Sequence, residues 1–256
     1  MRIEKNGRVI TCVPDWERFA PPRAKDQWVD GRSVYELACA WCGSGSAAMP
    51  PELNHLLESR EETREMKVEC VTPEHPINFD SLHGEPRNAD LAFIGETPLG
   101  KVAVTIEAKA DEPFGDTVAG TLAAALERLV ENPRSQGVRR VESLVRSLFA
   151  VAGKGLPMIA SLRYQLLTAA AGTLAYALQQ CASLAILVVH EFVTDKTSDK
   201  RQQKNAADFN AFLTRLAGTA ALQAYQSGLL GPFVVPGLPL FEKAPRFLVG
   251  EIRTPR

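Results

Sequence analysis

Two short segments of the chain carry the side chains that are best suited to chemistry. The first contains Asp90, and the second is Glu107-Ala108-Lys109. Two carboxylates and the backbone carbonyl of Ala108 form an oxygen-only donor set, which is the kind that Mg²⁺ prefers. A lysine beside such a site can orient a water or help to deprotonate it, and it can balance negative charge that builds up on a phosphate. These residue types therefore indicate the hydrolysis of a phosphodiester.

Asp90 and Glu107 can meet only if the elements that carry them form a hairpin. The residue pattern predicts one strand over 88–94 and another over 101–109, with a turn between them. In an antiparallel hairpin, the start of the first strand lies beside the end of the second, so Asp90 should approach Glu107. Side chains alternate along a strand, so Lys109 should project from the same face as Glu107.

The elements around this hairpin predict an α/β fold. Apolar residues at helical spacing predict a helix over 33–41, and a strand over 66–72 makes the hairpin a three-stranded meander. A helix rich in Ala and Leu is predicted over 162–180. The continuous apolar run at 182–193 predicts a strand that is buried on both faces. The resulting core order is helix, three-stranded meander, helix and strand.

The motif and this element order together resemble the PD-(D/E)XK nuclease superfamily, whose fold is called restriction-endonuclease-like. The resemblance covers about residues 31–193, and it matches residue by residue at Asp90 and at Glu107-Ala108-Lys109. It implies a nuclease that uses Mg²⁺, or alternatively Mn²⁺, and acts on nucleic acid, with DNA as the first expectation. The metal ligands would be Asp90, Glu107 and the Ala108 carbonyl, and Lys109 would be catalytic.

The resemblance also extends the site to two helices. A glutamate of the first helix often joins the metal ligands in this superfamily, and Glu36 has that position. A later helix often supplies a glutamine or a basic residue, which makes Arg163 and Gln165 the candidate substrate contacts. The sequence departs from the superfamily pattern at Ala89, where a proline would give the motif its name.

The chain is expected to form a single domain. We predict an irregular N-terminal extension over 1–30, a core over 31–193 and a helical insert within it over 117–150. Residues 194–256 should add a helix and short strands, which are predicted at 233–235 and 247–252. Four arginines of the insert concentrate positive charge that could face the acidic site: Arg134, Arg139, Arg140 and Arg146.

Composition excludes several classes of protein. The 256 residues contain 29 Lys and Arg against 30 Asp and Glu, for a net charge of -1. This balance argues against a protein that coats nucleic acid, since such proteins bind phosphates through many cations. No apolar run approaches the roughly 20 residues that span a bilayer. The five scattered cysteines favour reduced thiols. We therefore expect a cytoplasmic protein that does not associate with a membrane. It could form a homodimer or bind a partner protein.

Other interpretations of the same residues remain open. Glu107 and Lys109 could simply form an ion pair on a strand. The chain could be a binding or regulatory module that keeps a nuclease-like fold without catalysis, or an unrelated metabolic α/β protein. His75 and His83, in the proline-rich segment before Asp90, are minor candidates for a general acid.

Overall fold

A computed structural model describes residues 1–82, 84–150, 155–224 and 228–256. Within these residues the chain forms α-helices and one mixed sheet. The helices are α1 (Val13–Phe19), α2 (Ser33–Cys42), α3 (Pro51–Glu58), α4 (Val118–Glu131), α5 (Gly137–Leu148), α6 (Tyr164–Gln179), α7 (Asp199–Ala217) and α8 (Thr219–Ala224). The strands are β1 (Arg2–Lys5), β2 (Arg8–Ile10), β3 (Lys67–Ile77), β4 (Arg87–Thr97), β5 (Gly100–Lys109), β6 (Leu184–Val193), β7 (Leu229–Phe233) and β8 (Arg246–Pro255).

Within the described residues the sheet has eight strands, in the order β2-β1-β3-β4-β5-β6-β8-β7. Strands β3, β4 and β5 form an antiparallel meander. Strand β6 then lies parallel to β5, and β8 lies parallel to β6. Helix α6 connects β5 to β6, as expected for a parallel crossover. The predicted order of helix, meander, helix and strand is therefore the observed order, and the predicted α/β class is confirmed.

Helices cover both faces of this sheet. On one face, Leu37 of α2 belongs to a buried cluster with Val104 of β5. On the other face, Leu166 of α6 belongs to a second cluster with Ala103 of β5. Burying a leucine side chain fully stabilises the fold by roughly 1.5–3 kcal/mol, so each cluster fixes its helix on the sheet. The central strands are thus buried from both sides, and β6 is buried at every position except its last residue.

The predicted irregular extension over 1–30 is wrong. The hairpin of β1 and β2 extends the sheet, because β1 pairs in parallel with β3. Both residues of the connecting turn, Asn6 and Gly7, have positive φ values, as a tight hairpin turn requires. Ile3 and Trp16 are fully buried, so this segment is part of the core. The Asn-Gly pair, a typical two-residue hairpin turn, was the sequence signal for this hairpin.

Strands β3, β4 and β8 are longer than the sequence predicts. The pattern of prolines indicates a loop after residue 72, but β3 continues to Ile77 through Pro73 and Pro76. The parallel pairing with β1 is confined to Cys70 and Val71. Beyond it, β3 pairs only with β4, and a proline is tolerated at such an edge because no hydrogen bond needs its missing N–H. Strand β4 continues to Thr97, beyond the predicted end at residue 94, and β8 continues to Pro255, inside the sheet between β6 and β7.

The helical insert has the predicted form. Helices α4 and α5 fill 117–150 and are separated near Asn132 and Pro133. Among the described residues, no helix combines the length and apolar character that a membrane crossing requires.

Candidate functional site

The hairpin of β4 and β5 brings Asp90 to the segment that contains Glu107. Leu91 pairs with Ile106 in this antiparallel ladder, so Asp90 and Glu107 follow at its end. The Asp90 carboxylate accepts a hydrogen bond from the backbone N–H of Ala108 at 2.7 Å. This bond joins the start of β4 to the end of β5, which is the arrangement that the sequence predicts.

Glu107 is the centre of a buried polar network. Its side chain is 1% exposed. Oε1 accepts hydrogen bonds from Lys109 Nζ at 2.7 Å and from Gln165 Nε2 at 2.6 Å. Oε2 accepts from Nη2 of Arg87, whose side chain is 8% exposed. We refer to Arg87, Asp90, Glu107, Lys109 and Gln165 as the Glu107 cluster.

Helix α6 holds Gln165 in this cluster. The hydroxyl groups of Thr105 on β5 and Thr173 on α6 lie 2.5 Å apart in the core. Thr173 also donates to the carbonyl of Ala169, one turn earlier. Because this contact and the surrounding apolar packing fix α6 on β5, Gln165 near the start of the helix is held against Glu107.

Opposite charges determine which groups of the cluster are ionised. Burial favours a neutral Glu107, but Lys109 and Arg87 outweigh it and lower the pKa of this carboxyl. Burial also disfavours a charged Lys109, yet Glu107 and Asp90 raise the pKa of its ammonium group. The pKa of Asp90 lies well above its usual value, chiefly through burial and then through repulsion by Glu107. An additional cation would stabilise the ionised form of Asp90.

Glu74 lies beside the cluster, and the sequence interpretation missed it. Pro73 pairs with Leu91 and His75 with Ala89, so Glu74 lies opposite Asp90 on the neighbouring strand. Burial raises the pKa of Glu74 to about 7. Its φ of 50° is uncommon for a residue with a side chain, and such backbone strain concentrates at functional sites. The flanking prolines had indicated a loop, which concealed this carboxylate.

Two predicted site residues have other partners. Glu36 lies on α2, which covers the face of the sheet opposite α6. It accepts a hydrogen bond from the N–H of Gly31 at 2.9 Å, and its Oε2 lies 3.8 Å from Nε of Arg256. Arg163 pairs with Asp208 at 2.8 Å rather than with the cluster. The structure therefore brings together Asp90, Glu107, Lys109 and Gln165, and it does not bring Glu36 or Arg163 to them.

The arginines of the helical insert have different surroundings. Arg140 forms two hydrogen bonds to Asp80, at 2.7 Å and 3.0 Å. Arg146 pairs with Glu142 on the surface of α5 at 3.1 Å. Arg134 lines a surface pocket of about 610 Å³ together with Arg128 and Arg140. The Arg140 and Arg128 guanidinium groups are close enough to Tyr164 to act on its pKa, although burial dominates and raises it.

Among its described residues, the structure gives no contact that supports His75 as a general acid. The ring of His75 packs edge-on against Tyr176 of α6, with centroids 5.1 Å apart. Burial lowers the pKa of His75, which favours a neutral ring. His83 lies outside the described residues.

The donor set of the cluster suits a hard divalent cation in part. Asp90 and Glu107 offer only oxygen, as Mg²⁺ requires. Among residues 1–82, 84–150, 155–224 and 228–256, however, no group of three or more His, Cys, Asp or Glu side chains is placed to hold a metal ion. A metal at this site would therefore need the two carboxylates together with the Ala108 carbonyl and water.

Comparison with known proteins identifies a family without naming an activity. Residues 10–242 match the model of a family described as a domain of unknown function, DUF6946, so the chain belongs to that family. Searches of curated proteins and of solved structures found no match.

Proposed function

We propose that this member of the DUF6946 family has a restriction-endonuclease-like core and hydrolyses phosphodiester bonds of nucleic acid with the help of a divalent metal ion. The proposal rests on one observation above all. Lys109 of β5 and Gln165 of α6 both donate to Glu107, and Asp90 of β4 accepts from the backbone N–H of Ala108, the residue between Glu107 and Lys109. The order of elements around them is the order that the resemblance implies.

Asp90, Glu107 and the Ala108 carbonyl would hold the metal. A bound Mg²⁺ or Mn²⁺ would supply Lewis acidity and an acidified water. Lys109 would orient the attacking water and stabilise the negative charge that develops on the phosphate. Gln165 would keep the Glu107 carboxylate in position through its bond to Oε1. Glu36 is not part of this proposal, because its contacts lie on the other face of the sheet.

Nucleic acid is the proposed substrate because guanidinium groups gather on the helical insert. Arg128, Arg134 and Arg140 line one pocket of the insert, together with Glu131. Arginine binds phosphate through a planar fork of donors, so this surface suits the backbone of a nucleic acid. With a net charge of -1 the whole chain has no general attraction for phosphate, and binding would depend on this local surface.

A second candidate function is a binding module that keeps this fold without catalysis. One observation favours it: the Glu107 carboxylate is almost fully buried, and its two oxygens are already satisfied by Arg87, Lys109 and Gln165. A carboxylate with two cationic partners has no electrostatic need for a metal ion. Under this hypothesis the cluster is structural, and nucleic acid binds without being cut.

Cleavage assays separate the two candidates. Single- and double-stranded DNA and RNA are incubated with the protein and Mn²⁺ or Mg²⁺, with Lys109→Met as the test variant and Glu142→Gln as the surface control. A metal-dependent nuclease should cut at least one substrate, and Lys109→Met should reduce the rate by about 100-fold or more, in the range of other electrostatic catalytic groups. Cleavage that Lys109→Met leaves intact would refute the site. Binding without cleavage would favour the module.

A further inference from the structure

Arg87 is the member of the cluster that neither the motif nor the resemblance assigns. It is the first residue of β4, three positions before Asp90. Its guanidinium group donates to Oε2 of Glu107, and its side chain is nearly as buried as its partner. A buried ion pair of this kind costs desolvation free energy, so its presence in a candidate site calls for an explanation.

Helix α6 is shaped to admit the Arg87 side chain. Gly172 lies in the middle of this helix, where glycine is less stable than alanine by about 1 kcal/mol. A Cβ atom on residue 172 would lie 3.0 Å from Cδ of Arg87, which is tighter than ordinary contact. The glycine therefore leaves room for the aliphatic stem of Arg87, and the position of the guanidinium group is a built feature of the fold.

The two oxygens of Glu107 differ in what occupies them. Oε1 accepts from Lys109 and Gln165, whereas Oε2 accepts from Arg87. Lys109 is held further by the ring of Phe114, whose centroid lies 5.3 Å from Nζ. A ligand that approaches Glu107 would therefore meet Arg87 on Oε2.

The charges around Glu107 also place Arg87 in conflict with an incoming cation. Arg87 and Lys109 already place two positive charges against the Glu107 carboxylate. A divalent cation at Glu107 would add two more, and like charges a few ångströms apart repel strongly where the dielectric constant is low. Binding of the cation is therefore favoured when one of the two side-chain cations moves away.

From these contacts we infer that Arg87 and a divalent cation compete for Glu107, so that Arg87 holds the site in its metal-free form. The inference rests on the proposed function, since it concerns the same metal site. When a cation binds Glu107, the Arg87 guanidinium group must leave Oε2. It is then free to bind a phosphate, for which its planar donors are suited.

Calorimetric titration with Mn²⁺ alone tests the competition. Arg87→Gln removes the charge and keeps a polar side chain, and Arg60→Gln removes an arginine that pairs with Glu62 after α3, away from the cluster. Arg87→Gln should bind Mn²⁺ at least about tenfold more tightly than the wild type, because the competing cation is gone. Arg60→Gln should bind as the wild type does. An affinity of Arg87→Gln that equals or falls below that of the wild type overturns the inference and leaves the proposed function standing.

A measurement on the wild-type protein covers the case in which Arg87→Gln does not fold. Titration with Mg²⁺ should shift the side-chain NMR signals of Arg87 and leave those of Arg163 unchanged, because Arg163 pairs with Asp208. Arg87 signals that stay constant while Mg²⁺ saturates the protein would overturn the inference alone. If neither the wild type nor a folded Arg87→Gln variant binds Mn²⁺, both the inference and the metal-dependent function fail.

Discussion

Replacing Glu107 by glutamine should destabilise the protein strongly, whatever its activity. The substitution keeps the size of the side chain but removes the only carboxylate that contacts both Arg87 and Lys109 among the described residues. Both cations are less than a tenth exposed. Removing one partner of a buried ion pair typically costs about 3–5 kcal/mol, since the remaining charge stays in a medium of low dielectric constant. We expect a loss of about 3 kcal/mol, because Asp90 still lies near Lys109.

Urea unfolding followed by tryptophan fluorescence measures this loss. Trp16 and Trp41 are fully buried, so their emission should report on the packing of the core. Glu142→Gln is the matched control, because it removes the same group from an exposed pair with Arg146 in which both side chains are at least 60% exposed. Such surface pairs contribute between 0 and about 1 kcal/mol, so the control should unfold almost as the wild type does.

A double-mutant cycle with Arg87→Gln isolates the ion pair itself. The single substitutions and the combined Arg87→Gln, Glu107→Gln variant should show a coupling free energy of about 1–3 kcal/mol, in the range for side chains in one network. A loss below about 1 kcal/mol for Glu107→Gln, or a coupling near zero, would refute the claim that this network is buried and intact.

Three further outcomes follow from buried polar groups. Burial raises the pKa of Glu74 to about 7, so its neutral form stabilises the protein at low pH, and this contribution is lost as pH rises towards 7. In urea unfolding, the free energy of unfolding of Glu74→Gln should therefore rise by roughly 1 kcal/mol relative to that of the wild type between pH 5 and pH 8. Burial lowers the pKa of His190 to about 3, so the neutral ring contributes to stability above pH 6.5 and this contribution is lost as pH falls. Between pH 6.5 and pH 5 the free energy of unfolding of the wild type should fall by about 2 kcal/mol, and that of His190→Gln should not show this loss. Arg140→Lys should cost about 1–2 kcal/mol in thermal unfolding, because lysine cannot make the two parallel bonds to Asp80.

The sequence predicts the centre of the site because its information is local. Asp90, Glu107 and Lys109 lie on two strands joined by a short turn, and the period of two in a strand fixes which residues share a face. Helix α6 and strand β6 are long apolar segments, and such segments reveal their structure most clearly. Gln165 was a candidate through the resemblance, which implies a glutamine or a basic residue on the helix after the motif, and it bonds to Glu107 from the first turn of α6.

The missing parts of the site depend on register. Glu74 and Arg87 border a proline-rich segment that reads as a loop, yet the two strands pair across it, with His75 opposite Ala89. Whether a proline lies in a loop or in an edge strand is decided by the neighbour on its open side, and the linear pattern does not contain that neighbour. Glu36 shows a different error, because its helical position was predicted correctly, while α2 covers the face of the sheet opposite the cluster.

The same ion pair has opposite effects on folding and on metal binding. Arg87 neutralises Glu107 and so stabilises a carboxylate that would otherwise be buried without a partner. The same contact occupies the oxygen that an incoming cation would use. Stability and metal affinity should therefore change in opposite directions at residue 87, with Arg87→Gln less stable and more able to bind Mn²⁺. At residue 107 both should fall together, since Glu107→Gln removes the group that binds the arginine and would bind the metal. Opposite changes at residue 87 and parallel changes at residue 107 would distinguish a metal site that Arg87 blocks from a cluster that only stabilises the fold.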